Sequence, residues 1–238
     1  MITVRLDPRR LRRLLIVATL TMAVLGVVAR LVIDGAPGSP GAHALALFNS
    51  SAEQTVPALF SGLLLLGCAA GAALLARGAE RQDPHRRRWA ALAVIFGLVA
   101  TDEVIAVHER FIEPLREGLG TGGPLFYAWV IPGALAVAAL GLAFRGLLAA
   151  LDVRVRRRAL LAAALFVSGA LGLEAVAGAL VDEHGEGALA PHLVSVAEET
   201  LEMLGALLFL DVLLGLLGAR SPRVGLELVD GPAETGSH

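Results

Sequence analysis

The chain is 238 residues long, 56% hydrophobic and 18% charged, with a mean hydropathy of +0.71. Soluble domains usually run about 45–50% apolar and about 25% charged, so the composition excludes an ordinary water-soluble domain and points to a polytopic membrane protein. The formal net charge of −2 identifies no partner, while the single cysteine, Cys68, excludes an intrachain disulfide and any CxxC metal motif.

Apolar runs predict six transmembrane helices, at 14–33, 56–76, 89–107, 125–149, 159–181 and 193–218. Each suffices for a hydrocarbon core of about 30 Å, which takes about 20 apolar residues. The fold class expected is therefore all-α, a polytopic helical bundle forming one domain over 1–218. The basic start and first apolar run also fit a cleaved signal peptide, but the apolar character continues without a break to Ile33, which favours a retained span. Residues 34–51, with Pro37, Gly38 and Pro40, are expected to form a flexible external loop, and 219–238 a disordered tail.

The basic residues are all Arg, as in proteins of GC-rich bacterial genomes, and they fix the orientation. Seventeen of the twenty fall on one side of the six spans, in the N-terminal arm, the second and fourth connections with Arg145, and the tail; Arg30, Arg110 and Arg116 fall on the other. Cytoplasmic loops carry the positive excess, so both termini are expected in the cytoplasm of a bacterial inner membrane. The bilayer is then the main partner, and the run RRLRRLL reads as a topology signal, not as a nucleic-acid-binding arm. A homo-oligomer or a partner membrane protein stays open. The acidic residues do not occupy corresponding places in the two halves, so no inverted repeat of the transporter kind is read.

Three of the spans hold residues that a membrane should exclude. The third carries Asp102, Glu103, His108 and Glu109; the fifth carries Glu174; the sixth carries Glu198, Glu199 and Glu202. A charged carboxylate at mid-membrane costs about 2.5–3.5 kcal/mol on insertion scales, and such residues are usually functional. At 1.5 Å per residue, all three helices place them in one layer nearer the periplasmic face. At 100° per residue, Ser195, Glu198, Glu199 and Glu202 share an arc, Asp102 and Glu109 share a face, and Glu174, Gly178 and Asp182 form a stripe. The expected result is one polar cluster inside the bundle, with seven carboxylates against one or two cations. Like charges so placed cannot all ionise, so some must hold protons or bind metal.

Carboxylates with one or two His suit iron, manganese or zinc. The candidate ligands are Asp102, Glu103, His108, Glu109, Glu174, Glu198, Glu199 and Glu202; His192 is also available, but the Glu-x-x-His of ferritin-like sites is missing. The leading reading is a divalent-metal site of a membrane-embedded enzyme acting on a lipid-like or quinone-like substrate. One alternative is a proton- or cation-coupled transporter or channel using the same carboxylates; against it, no polar residue is read in the cytoplasmic half of any span. Another is a structural or assembly subunit. Glu109, Asp182, Glu183 and Glu186 also fit ordinary solvated helix ends, and Glu198 and Glu199 fit the first turns of a helix, where the dipole favours carboxylates.

The runs DEVIAVHER, LGLEAVAG and EETLEMLGALLFL resemble a family of bacterial multi-pass membrane proteins with no activity attached. The resemblance implies that the eight candidate ligands belong together. The ceramidase and progestin-receptor-like membrane hydrolases match poorly, because His-x-x-x-His is missing.

Overall fold

The computed structural model describes residues 8–49 and 55–219, and these form helices and turns with no strand among them. Among the described residues, nine α-helices follow in chain order: α1 Pro8–Gly35, α2 Pro40–Leu45, α3 Val56–Gly78, α4 Arg86–Ile105, α5 Ile112–Leu119, α6 Val130–Ala150, α7 Val153–Val167, α8 Glu174–His184 and α9 Leu189–Ala219. A π-helical turn, Ser168–Leu173, joins α7 to α8. The described residues thus include five helices, counting α7 through α8 as one, that are long and apolar enough to cross a membrane. A sixth span exists if α4 and the segment His108–Leu119, bent from it by 76°, count together. The protein is a helical membrane protein.

α9 is the centre of the bundle, packing against α1, α3, α7, the π turn and α8, while α3 and α4 form a closely packed hairpin. Two core clusters lie along it. Cys68, Ala72, Leu75, Trp89, Leu213 and Leu217 belong to one, and Leu64, Leu65, Ala100, Met203, Ala206 and Leu207 to the other. Small residues allow the close approaches, as is usual between membrane helices. A Cβ on Gly205 would stand 2.8 Å from the Ala162 carbonyl oxygen of α7, and one on Gly71 3.2 Å from Leu213 Cβ. The outward faces keep large apolar side chains, including Leu14, Val17, Leu20 and Val24 of α1 and Leu135 and Leu142 of α6, as lipid contact requires. α6 is the least buried of the long helices.

The helix ends divide into two faces. Asp211, late in α9, is ion-paired with Arg158 near the start of α7 and lies 3.9 Å from Arg12 near the start of α1. Arg86 Nε donates to the Ala76 carbonyl at the turn between α3 and α4. At the opposite end, Arg30 donates to the Gly187 carbonyl and to Asp34, and the buried His192 Nε2 donates to the Gly26 carbonyl at 3.2 Å. α1 and α9 are therefore antiparallel.

Several local expectations need correction. The third apolar run ends at Ile105, not 107: Ala106 takes the left-handed conformation (φ 47°, ψ 52°) and its N–H closes on the Asp102 carbonyl at 2.7 Å. Left-handed geometry costs an L residue about 1–2 kcal/mol, and Asp102 offsets this by accepting the His108 backbone N–H at 3.0 Å. The α-helical period is lost there, so Asp102 and Glu109 do not share a helix face; His108 and Glu109 lie in a 3-10 turn. The fourth helix starts at Val130, not 125, after the 3-10 turn Gly123–Leu125. The segment 34–51 is not simply a loop, since Ser39 caps α2 by accepting the Ala42 N–H. The tail expected at 219–238 lies outside the described residues beyond Ala219.

Candidate functional site

The site is built at the end of the bundle opposite the Asp211 ion pair, where α4 stops, α8 starts and α9 passes between them. The turn that ends α4 turns the His108 ring back onto its own helix, and His108 Nδ1 donates to Asp102 Oδ2 at 2.7 Å. A carboxylate on one ring nitrogen fixes the tautomer and leaves the other nitrogen available as a base or ligand. The other side of the ring meets Trp129, with centroids 4.6 Å apart. Trp129 Nε1 in turn donates to Glu174 Oε1 at 2.7 Å. The Asp102–His108 pair is thus tied through one indole to the carboxyl of α8.

The stripe Glu174, Gly178 and Asp182 explains how Trp129 is held. It faces the segment 122–129 rather than the interior of the bundle. A Cβ on Gly178 would stand 3.2 Å from Phe126 Cβ and from Tyr127 Cδ2, and Asp182 Oδ2 accepts the Gly123 N–H at 2.7 Å. One helix face therefore clamps the approach to α6 at three levels. Asp182 is a structural cap here, as an ordinary helix-end acid would be.

The π turn places the next group. The Glu174 N–H bonds five residues back to the Gly169 carbonyl, which widens the helix by one residue, and such insertions occur often at functional sites. Gly169 then lies directly against α9: an added Cβ would stand 2.8 Å from the Glu198 carbonyl oxygen and 2.9 Å from Glu202 Cγ. Glu174 and Glu198 carboxyls come within hydrogen-bonding reach of each other. Glu202, one turn further along α9, is 8% exposed, and its main charged neighbours are Glu103, Glu199, Glu174 and Asp102. Glu103 reaches Ser61 of α3.

All eight candidate ligands belong to this region. Asp102, Glu103, His108, Glu174, Glu198 and Glu202 stand on α4, its terminal turn, α8 and α9, each within electrostatic range of at least one other. Glu109 acts on His108 and Tyr127 by charge, and Glu199 acts on Glu198 and Glu202. The His108 imidazole acts by charge on Glu103 and Glu174. As the side chains stand, no three of His, Cys, Asp or Glu among the described residues are arranged to hold a metal ion. Beside the cluster, Tyr127 lies in the turn before α6; burial first, then the charges of Glu174, Glu186, Glu198 and Glu109, push its phenol up to about 12.

Three polar groups that sequence patterning passed over make or adjoin contacts in or opposite this region. Trp129 looks apolar in sequence, and its indole N–H is the only signal of its role. Ser61 is a lone hydroxyl in an apolar run. Asp211 is a carboxylate in the last apolar run, in the half that was read as free of polar residues, and its side chain is 15% exposed between two arginines.

No curated protein and no solved structure matches the chain. A family model described as a domain of unknown function, DUF8692, matches residues 8–216. The match runs from α1 into the last turn of α9, and the chain belongs to the DUF8692 family.

Proposed function

We propose that the cluster is a divalent-metal site of a membrane-embedded enzyme that acts on a lipid-like or quinone-like substrate. The observation that supports this most is the set of carboxyls itself. Glu174 and Glu198 come together near the Asp102–His108 pair, and Glu103 and Glu202 interact by charge beside them. Buried carboxyls at such density need a positive charge or protons, and the carboxylate–imidazole donor set suits iron, manganese or zinc. Glu side chains have three rotatable bonds, so an ion would be met by turns of Glu174, Glu198 and Glu202 with the backbone in place. When bound, a metal supplies Lewis acidity or an activated water; Asp102 would orient His108, and Trp129 would orient Glu174.

An apolar groove of about 440 Å³ lined by Thr55, Val56, Ala58, Leu59, Val104 and Ile105 adjoins Glu103 along the chain. Its volume falls within the range of small-molecule sites, roughly 300–1,000 Å³, and its lining favours a hydrocarbon tail. The membrane reading is a single six-span domain over 1–218 in a bacterial inner membrane. The face bearing Arg12, Arg86 and Arg158 lies in the cytoplasm, as the positive-inside rule requires.

The direct test is ligand-linked stability. Manganese, iron(II) or zinc added to chelator-stripped protein should raise the unfolding temperature, and the Glu174→Ala, Glu202→Ala double variant should show no rise. Equal unfolding temperatures with and without metal in the parent would reject the site.

A second reading, proton- or cation-coupled transport, has its own support. Glu174 and Glu198 meet carboxyl to carboxyl, which a shared proton would stabilise, and Asp211 supplies a polar group in the opposite half. Proton flux in liposomes that stops with Glu174→Gln, without any metal requirement, would favour it.

A further inference from the structure

We infer that the arginine-bearing end of the bundle holds an anionic phospholipid, with its phosphodiester between Arg12 of α1 and Arg158 of α7. Both arginines approach the same carboxylate oxygen of α9. Arg158 Nη2 donates to Asp211 Oδ2, and Arg12 Nη1 lies 3.9 Å from that oxygen, too far for a hydrogen bond. Two guanidiniums thus flank one carboxylate and leave one positive charge in excess, which a single phosphodiester would neutralise. Among the described residues, neither arginine is ion-paired with another acid. Asp152, just before α7, caps that helix by accepting the Arg154 N–H at 2.9 Å. A guanidinium has five N–H donors in a planar fork that matches phosphate. Both side chains are 47% exposed, so donors remain for an acceptor from outside the chain.

Helix direction and surface chemistry support the same occupant. α1 and α7 both begin at this end, so the positive poles of their dipoles add to the arginines, and neither helix has an acid in its first turn. Within the chain this arrangement is unfavourable, and an anion from outside relieves it. An arginine excess on one side of a membrane serves topology. Topology does not require arginines from two helices to meet at a carboxylate set in an apolar run. Towards the middle of the bundle the surface turns apolar: Leu14 and Val17 follow on α1, and Leu160 and Leu161 on α7, all exposed. One turn beyond Asp211 on α9, the exposed Gly215 borders open space, since an added Cβ would meet nothing within 4 Å. A charged head followed by acyl chains fits this order of surfaces, whereas a soluble anion uses only the arginines. Basic pockets between membrane helices are suited to anionic lipid heads.

The test is native mass spectrometry of the full chain released from detergent, titrated with phosphatidylglycerol or with phosphatidylcholine. One phosphatidylglycerol per chain is expected to be retained at concentrations that leave phosphatidylcholine unbound. Arg12→Gln keeps the Arg158–Asp211 pair and should weaken phosphatidylglycerol retention about fivefold, the worth of one cation beside an anionic lipid. Arg81→Gln, at an exposed arginine in the turn between α3 and α4, should leave retention unchanged. Inorganic phosphate should displace no lipid. Equal retention of the two lipids by the parent would overturn the inference, and that comparison needs no variant to fold. Equal effects of Arg12→Gln and Arg81→Gln would overturn it too, as would displacement by inorganic phosphate, which would make this a site for a free anion.

Discussion

Trp129 and Glu174, 45 residues apart, are joined by an indole N–H to carboxyl hydrogen bond of 2.7 Å, and the same indole lies against His108. This one side chain couples the turn that ends α4 to the first residue of α8. Partners that orient a ligand from behind typically set 10–100-fold of its metal affinity. Trp129→Phe keeps the ring against His108 but removes the donor, so metal affinity should fall about 10–100-fold while the helical content stays unchanged. Metal titration monitored beside circular dichroism separates these outcomes.

Tyr127 is the only tyrosine of the chain, so its ionisation can be followed by phenolate absorbance without assignment. Burial and four nearby carboxyls push it up to about 12, against about 10 in a free phenol. The neutral phenol is the form that the folded state prefers, so its stabilising contribution is complete below pH of about 10. It is lost as pH rises from there through about 12. The titration midpoint should move down when Glu174→Gln removes one of the charges. A parent midpoint at the free-phenol value would show that Tyr127 is solvated, away from the cluster.

Gly169 and Gly97 make a matched pair for packing. A Cβ at Gly169 meets the Glu198 carbonyl oxygen at 2.8 Å, a backbone atom that cannot give way, whereas a Cβ at Gly97 meets nothing within 4 Å. Gly169→Ala should destabilise by about 1–3 kcal/mol, the usual cost of overpacking, and displace Glu198 and Glu202 from Glu174. Gly97→Ala should be neutral or stabilise by up to about 1 kcal/mol. Thermal unfolding of both variants, with metal binding measured on each, checks the contrast.

Asp211 is at the other end of the bundle, held by Arg158 and near Arg12, whose side chains are both 47% exposed. Its contribution should fall between the roughly 0–1 kcal/mol of surface pairs and the roughly 3–5 kcal/mol lost on breaking buried ones. Asp211→Asn is therefore expected to cost about 1–2 kcal/mol and to leave metal affinity unchanged. A loss of metal binding equal to that of Glu174→Ala would link the two ends of the bundle and favour a transport pathway.

The membrane-spanning helices were legible because apolar length is a strong signal. The breaks were not. Nothing in TDEVIAVHER marks Ala106 as left-handed; that conformation is sustained by Asp102 capping the following turn, a contact between a side chain and the backbone six residues later. Extending the helical period through it placed Glu109 on the wrong face. The π turn was equally hidden, although Gly169 and Gly172 in LFVSGALGLE permit it. The stripe Glu174, Gly178, Asp182 does form one face, but residues 125–129 of its partner segment 122–129 were expected to be helical and instead precede α6. Trp129 was missed because patterning scores an indole as apolar, and its polar N–H matters only once a carboxyl is in reach.

The central claim, that the carboxylate–histidine cluster binds a divalent metal, is tested most directly by elemental analysis of the detergent-purified protein beside the Glu174→Ala, Glu202→Ala double variant. Stoichiometric iron, manganese or zinc in the parent and its loss in a variant that remains folded is the predicted result. A parent that contains no metal, and takes up none when supplied with all three, would contradict the claim and leave the carboxyls as proton carriers.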